Sequence, residues 1–171
     1  MKSVITISAS FYDQIVAHVL PDDTGDEQVA FLFLQPSGDA DHFDVVEYML
    51  VPRNGFVHQS AFHLELSDKT RASVIKTAHD LGASLAEVHS HPWPARAAFS
   101  SSDLAGLNDF VPHVWWRLKG RPYFAFVMGL TSFDALAWVE SPTVPSCIDQ
   151  VRVANDILRP TGITLTRCSN P

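Results

Sequence analysis

The sequence holds only two cysteines, Cys147 and Cys168, in 171 residues. Two thiols so late in the chain do not make a disulfide scaffold, and the expectation is a pair of reduced thiols in a cytosolic protein. Charged residues are sparse, at 18% against a usual share of about 25%, while hydrophobic residues reach 46%. That balance excludes disorder as the main state and gives one domain ample core. Positive charge is in particularly short supply: 12 Lys and Arg face 19 Asp and Glu, a net charge of −7 with His neutral. An acidic surface repels phosphate backbones, so no nucleic-acid partner is expected. Long apolar runs are missing as well. The longest, Tyr123 to Leu130 with a glycine inside it, falls far short of the roughly 20 residues of a membrane-spanning helix. Lys2 followed by Val4-Ile5-Thr6-Ile7 is too short and too polar for a signal-peptide core. These absences predict a cytoplasmic protein with no membrane partner.

Hydrophobic periodicity gives the organisation. Lys2 to Ile7 alternates weakly and reads as a first strand. Phe11, Ile15, Val16 and Val19 lie at helical spacing, with Ser10 as the candidate N-cap and Pro21 as the stop. The apolar run Val29 to Leu34 suits a strand buried on both faces, and Phe43 to Val51 is the next strand, ended by Pro52 and an Asn54-Gly55 turn. Phe62 to Leu66 alternates strictly, which predicts a short half-buried strand. Ser67 caps a helix carrying Ala72, Val74, Ile75, Ala78 and Leu81, and Gly82 closes it. Leu85 to His91 is a strand that Pro92 ends. Leu104, Leu107, Val111, Val114 and Leu118 form the seam of another helix, which Pro112 is expected to kink or split. Tyr123 to Gly129 and Ala135 to Val139 add two strands. Residues 1–145 thus read as one α/β domain, a single mixed sheet flanked by helices. Residues 146–171 read as a tail in which Val151 and Val153 mark an edge strand packed on the domain.

Histidine is the residue in excess. There are eight, and two stand in His89-Ser90-His91-Pro92, followed by Ser100-Ser101-Ser102-Asp103. Residues i and i+2 of a strand point to the same face about 6.6 Å apart, so the two imidazoles can converge on one ion. Chance gives roughly 0.4 such His pairs in this composition, and roughly 0.02 followed by Pro. Pro92 turns the chain out of the strand, and Asp103 returns at the first turn of a helix. Two imidazole nitrogens and one carboxylate oxygen suit Zn²⁺ and leave a fourth position for water, the catalytic pattern. Non-haem Fe(II) uses the same donors. Ser-x-x-Asp is also a capping box, with Ser100 as N-cap and Asp103 as its reciprocal partner; the two readings are compatible.

These residues resemble the JAMM (JAB1/MPN/Mov34) metalloproteases, whose motif is a glutamate, then His-x-His-Pro, then Ser-x-x-Asp. The resemblance covers residues 1 to about 140. It implies the layered MPN/JAB, cytidine-deaminase-like sheet, zinc held by His89, His91 and Asp103, and Ser100 as the serine that supports the tetrahedral intermediate. The family's general base is a glutamate in E-x-x-G-x-L-x-G. Glu27 is the best match, although Ala30 and Leu34 replace the two glycines. Glu87 is the rival: it shares the face of both histidines and could instead orient an imidazole through its second nitrogen. The His91-to-Asp103 spacing is one residue longer than the family's, and Trp93-Pro94-Ala95-Arg96 is where the extra residue fits. The loop from Trp93 to Phe99 directly follows the ligand strand, so Trp93 and Phe99 are expected to border the substrate.

What the resemblance implies is hydrolysis of an amide by a zinc-activated water, after the C-terminal glycine of a ubiquitin-like protein. Partners would be that protein, its conjugates, and E1-like and E2-like proteins of a bacterial conjugation system, some of which are linked to antiviral defence. Sulfur-carrier processing by the same chemistry, and a metal-free MPN scaffold, are the alternatives. A scaffold needs none of the three ligands.

Overall fold

Every residue of the run Val29 to Leu34 is buried, because the strand that carries it separates two cores. The computed structural model describes residues 2–169. Its elements are β1 (Ser3–Ile7), α1 (Ala9–Val19), β2 (Val29–Pro36), β3 (His42–Leu50), β4 (Phe56–Gln59), β5 (Leu64–Leu66) and α2 (Asp68–Asp80). They continue with β6 (Ser84–His91), α3 (Ser101–Arg117), β7 (Tyr123–Gly129), β8 (Phe133–Trp138), β9 (Ser146–Val153), β10 (Asp156–Leu158) and α4 (Ile163–Ser169). The side chain of Cys168 lies outside the described residues; Cys147 is a free, half-buried thiol.

The main sheet runs β1-β3-β2-β6-β7-β8-β9-β10, and β1 also pairs in parallel with β9, Ile5 opposite Val151 and Ile7 opposite Val153. That second pairing corrects the sequence-based fold. The helix-flanked open sheet of the MPN/JAB, cytidine-deaminase-like kind is instead a mixed barrel, closed by seven strands with β10 added on β9. The same pairing corrects the reading of 146–171 as a tail with an edge strand. β9 has β8 and β10 on one side and β1 on the other, so it is part of the wall. Closure removes sheet edges that would otherwise expose unpaired backbone.

Alternation along each strand then divides the apolar residues. Ala30, Leu32 and Leu34 of β2 join Ile5, Phe43, Ala86, Val88, Phe124, Phe126 and Val151 in a core fed by all the barrel strands, with Ile15 and Val19 of α1 packed on it. Val29, Phe31 and Phe33 face the other way, into a core with Leu85, Tyr123 and Ala125 that α2 and α3 cover through Val74, Ile75, Leu107, Val111 and Val114. On β6, His89 and His91 have the parity of Leu85, so they belong to the helix-covered outer face of the barrel wall.

Local differences have local causes. Ser8, not Ser10, caps α1, accepting from the Phe11 N–H at 3.2 Å. Ser67 caps α2, and Gly82 follows it with φ +63°, the left-handed turn that glycine adopts without a Cβ clash. Pro112 neither splits nor ends α3, which runs unbroken over 17 residues. The alternating segment from Phe62 is strand only from Leu64. Ser60 Oγ accepts from the Phe62 and His63 N–H groups, which bends the chain there and leaves Phe62 82% exposed.

Candidate metal centre

β6 and the first turn of α3 bring the predicted ligands together. Nε2 of His89 lies 3.4 Å, and Nε2 of His91 3.3 Å, from the same oxygen, Asp103 Oδ2. The three ligand atoms all lie within 4.8 Å of one another, a group able to hold a metal ion. Both histidines are buried. In a tetrahedral zinc site with arms of about 2.0–2.2 Å, neighbouring donor atoms stand roughly 3.3–3.6 Å apart, so the two contacts have the spacing of ligands sharing an ion. Nε2 of His89 is fully buried and makes no aligned hydrogen bond, despite the nearby carboxylate. A buried acceptor nitrogen left this way costs stability unless something occupies its lone pair. A divalent cation between the three groups fits that need.

Each ligand is fixed from behind. The Ser100 N–H donates to Asp103 Oδ2 at 2.7 Å, and the Asp103 N–H donates to Ser100 Oγ at 3.1 Å, the reciprocal capping box. The edge of the Phe99 ring meets His89, with ring centroids 5.6 Å apart. Trp93 stacks on His91 at 4.3 Å, and the exposed Phe62 stacks in turn on Trp93 at 5.8 Å. Of the two residues expected to border the substrate, Trp93 therefore stands at the site, half-buried, while Phe99 is 4% exposed and mainly packs against a ligand.

The two candidate bases are on different sides. Glu27 Oε1 lies 3.7 Å from Nε2 of His91, the nitrogen that faces the cluster. Glu87 Oε1 lies 3.8 Å from Nδ1 of His89, the nitrogen that faces away, and its Oε2 accepts a 2.7 Å hydrogen bond from the buried Tyr123 hydroxyl. Ser90, between the two histidines, stitches Glu27 into place. Its Oγ accepts from the Gln28 N–H at 2.9 Å and its N–H donates to the Gln28 carbonyl. The Gln59 side chain and the Ser60 carbonyl hold the Glu27 backbone from the other flank.

Electrostatics follow from burial and crowding. Desolvation pushes the Glu27 carboxyl up to about 7; His89 pulls against that shift and Asp103 adds to it. Desolvation also raises Glu87, opposed by His89 and by the Tyr123 hydrogen bond. For His89 burial works downward, but pairing with Asp103 and attraction by Glu87 and Glu27 leave its pKa raised. Burial works upward on Asp103, yet the two imidazoles and the Ser100 N–H hold it well below the usual carboxylate range. These shifts favour the protonated forms of Glu27, Glu87 and His89 around an ionised Asp103, so an ion bound by the cluster would displace protons from it.

The sequence reading did not find Phe62, Tyr123, Ser90 or the C-terminal residues that reach the site. Asp134 of β8, which anchors those C-terminal residues from a distance, did carry a signal: a lone acid in an apolar strand is either buried with partners or costly. It is 1% exposed, and it accepts from the N–H groups of Gly162 and Thr164 and from the Thr164 hydroxyl.

No protein-family model and no curated protein matches this chain. Among solved structures, it is similar to the solution structure of protein DSY2949 from Desulfitobacterium hafniense, a Northeast Structural Genomics Consortium target. The TM-score is 0.57 at 14% identity, over 89% of this chain and 94% of that one. At that identity the likeness is one of fold. Among the described residues, no helix is long and apolar enough to cross a membrane.

Proposed function

We propose that this chain is a zinc-dependent peptidase of the JAMM type, cutting the bond after the C-terminal glycine of a ubiquitin-like protein in deconjugation or precursor processing. The observation that supports this reading best is the convergence of His89, His91 and Asp103 with Glu27 on their open side. When bound, zinc supplies Lewis acidity, which acidifies water and polarises a carbonyl.

The residues of the chain have the following parts in this proposal. His89, His91 and Asp103 hold the ion, and Glu87 orients His89 through its outward nitrogen. Glu27, raised to about 7, takes a proton from the attacking water and passes it to the leaving amine. Ser100 Oγ already accepts the Asp103 N–H, so its own proton is free to be donated to the developing oxyanion. An extended glycine tail enters the larger cleft, about 390 Å³, beside β5 and below Phe62, where main-chain pairing to a strand is available. The folded body of the ubiquitin-like protein supplies the remote binding energy. Its conjugates and the E1-like and E2-like proteins that make them are the proposed cytoplasmic partners.

The test is incubation of the zinc-loaded protein with a ubiquitin-like fusion and with casein, with and without chelator. Chelator-sensitive cutting of the fusion with casein intact is expected. Chelator-sensitive casein digestion with an intact fusion overturns the reading.

A further inference from the structure

Two clefts meet at the ligand cluster, and their charges are opposite. The larger is lined by Glu27, Glu65, Glu87, Asp103 and Asp109, with Arg71 as its single Lys or Arg. The smaller, about 250 Å³, opens on the His91 side between Trp93, Arg96, Ser100 and Arg167, and no acidic residue lines it. Arg96 comes from the loop after β6 and Arg167 from α4. Among the described residues neither side chain forms an ion pair or a hydrogen bond, and both are exposed, in a chain whose net charge is −7.

The pairing of these two distant segments is built into the fold. Thr161 Oγ1 donates to the Ala97 carbonyl at 2.8 Å, and Thr164 Oγ1 accepts from the Phe99 N–H at 3.0 Å, so α4 is fastened to the Arg96 loop at two points. Asp134 anchors that fastening from the barrel wall through Gly162 and Thr164. Two arginines are thereby placed on the lining of one cleft, next to a metal ligand, and among the described residues no carboxylate pairs with either. Guanidinium matches carboxylate geometry in paired hydrogen bonds, and a cleft of this size lies below the roughly 300–1,000 Å³ of a drug-sized ligand site.

From this we infer that the Arg96–Arg167 cleft is the leaving-side subsite, and that it binds the free α-carboxylate of a short C-terminal extension released from the ubiquitin-like protein. The inference rests on the peptidase reading and narrows it, from either kind of bond to linear precursor processing. A lysine side chain leaving from an isopeptide bond brings no such carboxylate, whereas a one- or two-residue extension ends in one.

The test uses the full chain, zinc-loaded, and three probes: glycylalanine, glycylalanine amide, and glycylglutamate α-amide, whose single carboxylate is that of the side chain. Binding is followed by NMR on the Trp93 indole signal, assigned with Trp93→Phe. Glycylalanine is expected to shift that signal saturably at millimolar concentration, with the amide weaker by about tenfold or more. Arg96→Ala/Arg167→Ala is expected to abolish the difference while zinc content and melting temperature stay unchanged. Equal binding of acid and amide, binding that survives in the double variant, or no shift with any probe overturns the subsite. Binding of the side-chain carboxylate probe alone overturns the chain-end assignment. Fusions ending in a two-residue extension, as acid or as amide, separate the two proposals. Equal cutting of both defeats the subsite and leaves the peptidase standing. Acid-selective probe binding without any cutting defeats the peptidase reading instead.

Discussion

Ser100 and Asp103 hold each other reciprocally: each backbone N–H donates to the other's side chain, at 2.7 and 3.1 Å. The oxygen of Asp103 that Ser100 grips is also the oxygen that faces both imidazoles. The helix cap and the candidate metal site are one object, so a carboxylate is delivered to the histidines with little freedom left to lose on binding an ion.

That relationship separates two functions of Ser100. Ser100→Ala removes the N-cap acceptor and is expected to cost about 1 kcal/mol of stability, measured by urea denaturation. The Ser100 N–H remains, so zinc stoichiometry is expected to stay near one. If the hydroxyl stabilises the oxyanion, kcat falls by roughly 10²–10³. Loss of zinc in this variant would assign the serine to the ligand framework alone.

Glu27 and Glu87 make a second contrast. Glu27→Gln is expected to lower the cleavage rate by about 10²–10⁴ with zinc retained, because a base is not a ligand. Glu87→Gln is expected to weaken zinc binding by roughly 10–100-fold, because it removes the negative charge on the outward side of His89 that orients the ring and raises its basicity. The checks are single-turnover kinetics and competition with a chromogenic chelator. A fully active Glu27→Gln beside a dead, zinc-replete Glu87→Gln would reverse the two roles.

Much of the site was legible in the sequence because it is local. His89 and His91 share a strand face by parity, and Ser100 and Asp103 share one helical turn, so spacing alone brings each pair together. The split of β2 into two buried faces was legible for the same reason. What joins distant segments was not. Ile5 and Val151 lie almost a whole chain apart, and nothing in either strand's alternation distinguishes a sheet edge from the seam that closes a barrel. The reach of Arg167 to the Arg96 cleft depends on Thr164 meeting Phe99 across the fold, and neither residue type advertises it. The strict alternation from Phe62 misled because Ser60 captures the next two usable amides and bends the chain.

Zinc is expected to stabilise the fold. At free zinc about 100 times its Kd, the gain is about 2.7 kcal/mol, read as a rise in melting temperature that chelator reverses. The raised pKa of His89 makes protons compete with the ion at higher pH than for a free imidazole, so zinc affinity should fall as pH drops through that pKa. His89→Ala should remove both the bound zinc and the thermal shift. A zinc-dependent shift that persists in His89→Ala would place the metal elsewhere.

Asp134 is the most consequential residue that lies away from the chemistry. Its carboxylate is 1% exposed and accepts from Ala135, Gly162 and Thr164 N–H groups and from the Thr164 hydroxyl. Asp134→Ala leaves those donors in the interior without an acceptor, which is expected to cost roughly 2–5 kcal/mol. The loss should be uneven. α4 and the loop from Ala97 to Phe99 are tied together through Thr161 and Thr164, so they should open first, while the α1 side of the barrel is untouched. Phe99 packs on His89, so loosening the loop should also weaken zinc binding, through a residue that never contacts the ion. Hydrogen exchange separates this from general unfolding. In the milder variant Thr164→Val, the Phe99 amide should lose protection while amides of β2 and β3 keep theirs. Uniform loss of protection across the barrel would mean that Asp134 supports the fold as a whole and has no particular hold on the metal centre.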